Sequence, residues 1–320
     1  MDAREHLHHA ETAGYGPRPL NLRALLSLWK AAIWAWLDDF APSMGAALAY
    51  YTLFSLAPVL IIVIAIAGLA FGADAARGEI VAQLEGLMGH DGALTVQLVL
   101  QNASQPARSL AASVLGLVTL LIGATSVFAE LQSDLDRIWR APAVAGRQSV
   151  IALIRARVLS FGMILAIGFL LLISLVVSAG LAAVSKWWGS VFGAWDSALE
   201  LVNLTVSLTI STVMFALIYK VLPRVRVAWR DVWIGALVTS ALFTAGKFAI
   251  GVYVGRAGIG STFGAAGSLV LLMVWVYYSA QIFLLGAEFT WLFAHRHGSL
   301  ARQSGGHEPP PPPRVPITPR

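Results

Sequence analysis

Residues 45–72, GAALAYYTLFSLAPVLIIVIAIAGLAFG, run for 28 positions without a formal charge. Counting from 46–71, apolar runs of similar length recur near 109–129, 158–184, 198–221, 232–254 and 267–293. A helix of roughly 20 residues crosses about 30 Å of hydrocarbon, so each run is long enough to span it. The hydrophobicity is continuous rather than alternating, and lipid offers no water to unpaired backbone groups. The pattern therefore predicts helices and not a barrel. The expected fold is all-α, a polytopic integral membrane bundle with six transmembrane helices. It forms a single domain over 20–297, between disordered tails at 1–19 and 298–320.

Two further segments are amphipathic. LNLRALLSLWKAAIWAWLDDF places Leu22, Leu25, Leu26, Trp29, Ile33, Trp36 and Leu37 on one helical face. Its tryptophans and lone lysine predict a helix lying in the cytoplasmic membrane interface. The first outer loop carries Ile80, Val81, Leu84, Leu87 and Met88 at helical spacing, which predicts one or two short helices. The fourth span holds Asn203 and several Ser and Thr residues, and is expected to turn these toward other helices rather than lipid. The tail from 298, with its five consecutive prolines, reads as a solvated spacer.

Composition fits this picture: 58 % of the 320 residues are apolar and 12 % charged, about half the charge a water-facing surface carries. Seventeen of the 22 lysines and arginines fall on one side of the predicted topology. The positive-inside rule then places both termini in the cytoplasm. With its basic residues spread over short loops, the net charge of +5 is topological information and not a nucleic-acid footprint. The absence of cysteine excludes thiol catalysis, Cys-ligated zinc and disulfides. The N-terminus, with acids and histidines and no apolar core, predicts no cleavable signal peptide. The histidines show no metal-ligand spacing, so neither metal nor cofactor is expected.

Polar residues inside the spans are the candidate chemistry. Pro58 removes a helical N–H and frees the carbonyl of Phe54, which predicts a kink and a crevice beside it. Ser55 is placed to satisfy part of that loss. Tyr50 and Tyr51 either anchor the helix in the aromatic belt or line that crevice. Lys247 and Glu288 are charges at depth and functional candidates by default. Their depths differ by about 12 Å at 1.5 Å per residue, so no direct ion pair is expected. Each either snorkels to its nearer interface or lines a polar cavity with Arg256, Tyr277, Tyr278 and Gln281. Glycines four apart, at 68/72, 251/255 and 260/264, predict close helix approach. In ELQSDLDRIWR, Glu130, Asp134 and Arg137 form one set at helix-pair spacing and Asp136 with Arg140 another. This segment extends the second span as a charged helix and is a candidate cytoplasmic gate.

Four stretches, GAALAYYTLFSLAPVL, ELQSDLDRIWR, LPRVRVAWRDVWIGALVTSALF and GSTFGAAGSLVLLMVWVYYSAQIFLLGAEFT, occur in that order. Together they resemble the YihY / virulence factor BrkB family over about residues 20–297. The resemblance implies a bacterial inner-membrane protein with six spans, linked to envelope integrity, with transport of lipid or lipopolysaccharide precursors proposed for some members. A tRNA-processing ribonuclease label carried by some members finds no support in these residues, which offer no two-metal acid cluster and no basic, aromatic-lined groove. The expected function is an inner-membrane transporter or translocator of a lipid or envelope precursor, with membrane lipids as partners. The alternative is a structural or partner-binding envelope protein. A lipid-modifying enzyme fits less well, because no acid, base and metal cluster can be assembled.

Overall fold

The computed structural model describes residues 21–103, 110–142, 196–257 and 267–301, with isolated positions between 158 and 170. Seven helices account for most of these residues: α1 (Leu22–Asp38), α2 (Ala41–Phe71), α3 (Ala73–Ala103), α4 (Leu110–Ile138), α5 (Asp196–Val221), α6 (Trp229–Ala257) and α7 (Gly267–Arg296). No strand occurs among the described residues. Among the described residues three stretches, Ala41–Leu69 in α2, Leu204–Val221 in α5 and Leu272–Arg296 in α7, are long and apolar enough to cross a membrane. Most of the predicted third span (158–184), the tails 1–19 and 302–320, and the glycine segment 258–266 lie outside the described residues.

Helix α1 divides its apolar surface. Leu28 and Ala32 are buried, and the Trp29 ring lies tilted against Phe289 of α7 at 4.9 Å. Leu22, Leu25, Leu26, Ile33 and Leu37 stay exposed. A sharp turn at Asp39 and Phe40 leads into α2, which has a proline in its first turn, where a missing N–H costs nothing.

The first outer loop departs from expectation. Gly72, with φ of 86°, closes α2 by donating to the Gly68 carbonyl, and α3 then runs unbroken for 31 residues. The Gly68/Gly72 pair therefore serves this turn, with the Ala73 backbone 3.1 Å from where a Cβ on Gly68 would lie. The apolar spacing at residues 80–88 marks only a short helix, but local preference is weak and tertiary packing overrides it. Helix α3 packs along α2 and touches α6 and α7. Its Val96 and Leu100 share an apolar cluster with Leu60, Ile64 and Leu272.

Helix α7 is the centre of the bundle. It packs on α1, α2, α3, α4 and α6, and the Tyr219 hydroxyl of α5 donates to its Phe283 carbonyl at 2.7 Å. Its seam with α6 is built from small residues at a spacing of four on both helices. A Cβ on Gly235 would lie 1.9 Å from Thr290 Oγ1, and one on Gly286 would lie 2.0 Å from Thr239 Oγ1. Backbones that approach this closely gain packing that lipid cannot supply. Both threonines satisfy their hydroxyls on the preceding turn, Thr239 on Gly235 and Thr290 on Gly286.

Helix α5 corrects a second expectation. Thr205 and Thr209 are exposed and bond back to Leu201 and Thr205 of their own helix. Such back-bonding lets a hydroxyl face lipid, so the polar residues need not turn inward. Thr212 is buried, and Leu208 accepts from both Thr212 and Ser240 of α6. The Asn203 side chain lies outside the described residues.

Candidate functional site

The predicted site residues do not converge. Tyr50, Tyr51 and Tyr277 are exposed at 54 %, 38 % and 37 %, and Tyr50 packs on Phe54 of its own helix at 4.9 Å. Their surroundings favour anchoring over lining. Ser55 is buried, and its hydroxyl donates at 2.5 Å to the Gly123 carbonyl of α4. A serine has one proton to donate, so it does not serve the carbonyl that Pro58 frees. A Cβ on Gly123 would stand 3.0 Å from the Pro58 ring, so α4 occupies the space on that side where a crevice was expected.

Gln281 lies under Gly45 at the α2–α7 contact, with a long 3.5 Å approach of Nε2 to the Ala41 carbonyl. Tyr278 instead packs beside Gly246 of α6. Lys247 is half-buried on α6. Gly235 opposes Thr290 and Gly246 opposes Ile282 and Tyr278, so α6 and α7 run antiparallel. In that register Lys247 stands about ten residues, roughly 15 Å, from the level of Glu288, as the depth argument anticipated. The Arg256 side chain lies outside the described residues.

Glu288 has other company. It is fully buried on α7, and its carboxyl stands within hydrogen-bond reach of Asp39 and within electrostatic range of Arg140 and Asp38. Asp39 is 5 % exposed and pairs with Arg140 at 3.8 Å, and the Arg140 guanidinium lies 4.8 Å over the ring of Trp291. Among the described residues, neither oxygen of Glu288, nor Asp39 Oδ2, nor Arg140 Nε has a hydrogen-bond partner. A contact between two carboxylates is a hydrogen bond only when one of them carries a proton, which reconciles the close approach with the missing donors.

The backbone around this cluster is strained. Phe40 (φ 59°) and Arg140 (φ 52°) are the non-glycine residues with positive φ among the described residues. Left-handed backbone costs about 1–2 kcal/mol per ordinary residue, and such strain gathers at functional sites. One outlier turns the chain next to Asp39; the other ends α4 and directs Arg140 to the same place.

The expected Asp136–Arg140 pair is replaced. Asp136 binds Arg224 instead, accepting from its guanidinium at 3.2 Å and from its backbone N–H at 2.7 Å. Gln132 donates to the Leu222 carbonyl at 3.0 Å, so α4 grips the α5–α6 connection at two points. Arg140 is thereby free for Asp39. At the start of α6, Asp231 is fully buried and accepts from the Ser299 hydroxyl and backbone, tying the end of α7 back to α6.

The charged extension of α4 forms as expected, as one helix through Glu130, Asp134 and Arg137. Arg137 is exposed and lies 5.7 Å over the Phe40 ring. Asp134 lies beyond the apolar stretch and is buried; burial pushes its carboxyl from 3.8 up to about 7, with Glu130 adding and Arg137 opposing. Ionising it costs more in the folded than in the unfolded chain. Its contribution to stability is therefore greatest below its unfolded value, and declines as pH rises from about 4 to about 7 before levelling off. In Asp134→Asn this slope is absent. Unfolding midpoints in detergent across that range should diverge between the two proteins, and parallel curves would refute the assignment.

Sequence reasoning missed Asp39 and misassigned Arg140. The available signal was an acidic pair, Asp38 and Asp39, abutting the proline-started first span, and an arginine closing the charged extension of the second.

No solved structure matches this chain. It is 30 % identical over 277 residues to a UPF0761 membrane protein of Cronobacter sakazakii, covering 83 % of this chain and 88 % of that one. A UPF0761 membrane protein of Ralstonia nicotianae is 28 % identical over 84 % of this chain, and the alignment spans 59 % of the relative's length. UPF0761 membrane protein YihY of Escherichia fergusonii is 32 % identical over 55 % of this chain and 57 % of its own length. A model of the Virulence factor BrkB family matches residues 32–311, and the chain belongs to that family of membrane proteins.

Proposed function

We propose that this chain is a bacterial inner-membrane protein with six spans and cytoplasmic termini that translocates a lipid or envelope precursor. The concentration of basic residues on one side of the predicted topology supports the orientation. One observation carries the transport reading: Glu288 is fully buried on the central helix and has no hydrogen-bond donor among the described residues. An ionisable group at such depth is costly, and stability alone gives no reason to keep it there. Arg140 and Asp39 stand beside it where α1, α2, α4 and α7 meet, so small shifts among these helices would expose or cover the cluster.

The test is reconstitution in liposomes, following a fluorescent lipid and ion flux. Glu288→Ala is expected to lower flux at least about tenfold, the equivalent of one charged hydrogen bond. Lys247→Ala, remote from the cluster, is expected to retain most of it. Undiminished flux in Glu288→Ala would remove the cluster from any transport path; a wild type without flux would leave the scaffold reading in its place.

A further inference from the structure

We propose that Asp39 and Glu288 form a proton-binding pair, with Arg140 as its fixed counter-charge, that exchanges one proton with water. Use of that proton in transport rests on the function proposed above; the binding site itself does not. Both carboxyls are buried, they lie within hydrogen-bond reach of one another, and no donor among the described residues reaches either Glu288 oxygen. A buried polar atom without a partner calls for an explanation, and one proton between the two oxygens supplies it. Two carboxylates sharing a site retain a proton for this reason.

Arg140 sets the charge balance. With one proton bound, Asp39, Glu288 and Arg140 sum to zero; without it, the buried cluster carries one uncompensated negative charge. The groups facing it come from several elements: Asp38 from the end of α1, Asp39 from the α1–α2 turn and Arg140 from the end of α4. His295 of α7 lies within range of Arg140 and of Asp231 at the start of α6. Asp231 accepts from the Ser299 hydroxyl and backbone. The ligand is a proton and no covalent chemistry is involved: it arrives from water and returns to water.

The test is infrared difference spectroscopy on the full chain in liposomes, between acidic and alkaline buffer, in light and heavy water. The wild type is expected to give a protonated-carboxyl C=O band, and Glu288→Gln to lose it. Asp39→Ala should move the band to higher frequency, because the carboxylic acid loses its acceptor, whereas Asp39→Asn should keep it near the wild-type position. Should Glu288→Gln fail to fold, the contrast between the two Asp39 variants carries the test. A wild type with no pH-dependent band, or a band indifferent to both residues, overturns the proposal. A band without lipid or ion flux would leave the proton site standing and remove the transport reading; flux that Glu288→Ala abolishes, with no band, would do the reverse.

Discussion

Replacing Gly286 with valine is expected to destabilise the protein by about 3–5 kcal/mol, from overpacking of 1–3 and a broken buried hydrogen bond of similar size. A Cβ at this position would lie 2.0 Å from Thr239 Oγ1, 2.8 Å from the Tyr219 hydroxyl and 2.9 Å from Thr239 Cβ. None of these atoms has room to retreat. Thr239 and Tyr219 are both fully buried, they bond to each other at 3.1 Å, and Tyr219 also holds the Phe283 carbonyl. The added methyl groups must therefore push α6 away from α7 and detach α5 at the same point. Gly78→Val is the control: open space surrounds that position, and a surface change should stay within about 0.5 kcal/mol. Thr239→Gly, combined with Gly286→Val, should restore part of the loss by moving the small residue to the other helix. Unfolding in detergent measures all four proteins. A Gly286→Val protein as stable as the wild type would mean that the α6–α7 seam is not tight there.

The helical class was legible because it depends on composition over long windows. Helix α7 runs over Gly267–Arg296 where the hydrophobicity placed 267–293, and α4 continues through its charged extension. The seam was half legible. Glycines four apart were the right signal, but Gly68 and Gly72 serve a turn. The α6–α7 contact uses glycine with threonine, Gly235/Thr239 against Gly286/Thr290. A search restricted to glycine pairs overlooks a partner whose hydroxyl folds back on its own helix. The first outer loop misled for the opposite reason. Its glycines weaken a helix locally, but the contacts with α2 and α7 that hold α3 together involve residues far apart in sequence.

The site shows the same division. Glu288 stood out alone because one charge inside an apolar run is visible from its neighbours. Asp39 did not, because a carboxylate at the edge of a span is ordinary until the fold turns it inward. That turn depends on Phe40 adopting positive φ, a conformation no local pattern in DDFAPS announces. The choice of partner by Arg140 was equally non-local. Asp136, four residues earlier, is its natural helix neighbour, but the α5–α6 connection brings Arg224 to Asp136 and releases Arg140 to Asp39.

Arg140→Met is expected to cost about 3–5 kcal/mol, the range for removing one partner of a buried ion pair and leaving the other uncompensated. The methionine retains much of the volume but neither the charge nor the stacking on Trp291, which is worth about 1 kcal/mol. Arg140 also has left-handed backbone at φ 52°, so glycine at this position would relieve about 1–2 kcal/mol of strain. The two substitutions therefore separate backbone from charge. If charge dominates, Arg140→Gly also loses stability, by about 1–4 kcal/mol once that relief is counted. If the strained turn is all that matters, it gains. Lysine should rescue part of the loss, because it restores a point charge without the planar fork that stacks on indole. Adding Glu288→Gln to Arg140→Met should recover at least about 1 kcal/mol, the signature of residues in one charge network. Additive losses in that double-mutant cycle would mean that Arg140 and Glu288 do not interact, and the three-residue cluster would reduce to an Asp39–Arg140 pair beside an isolated acid.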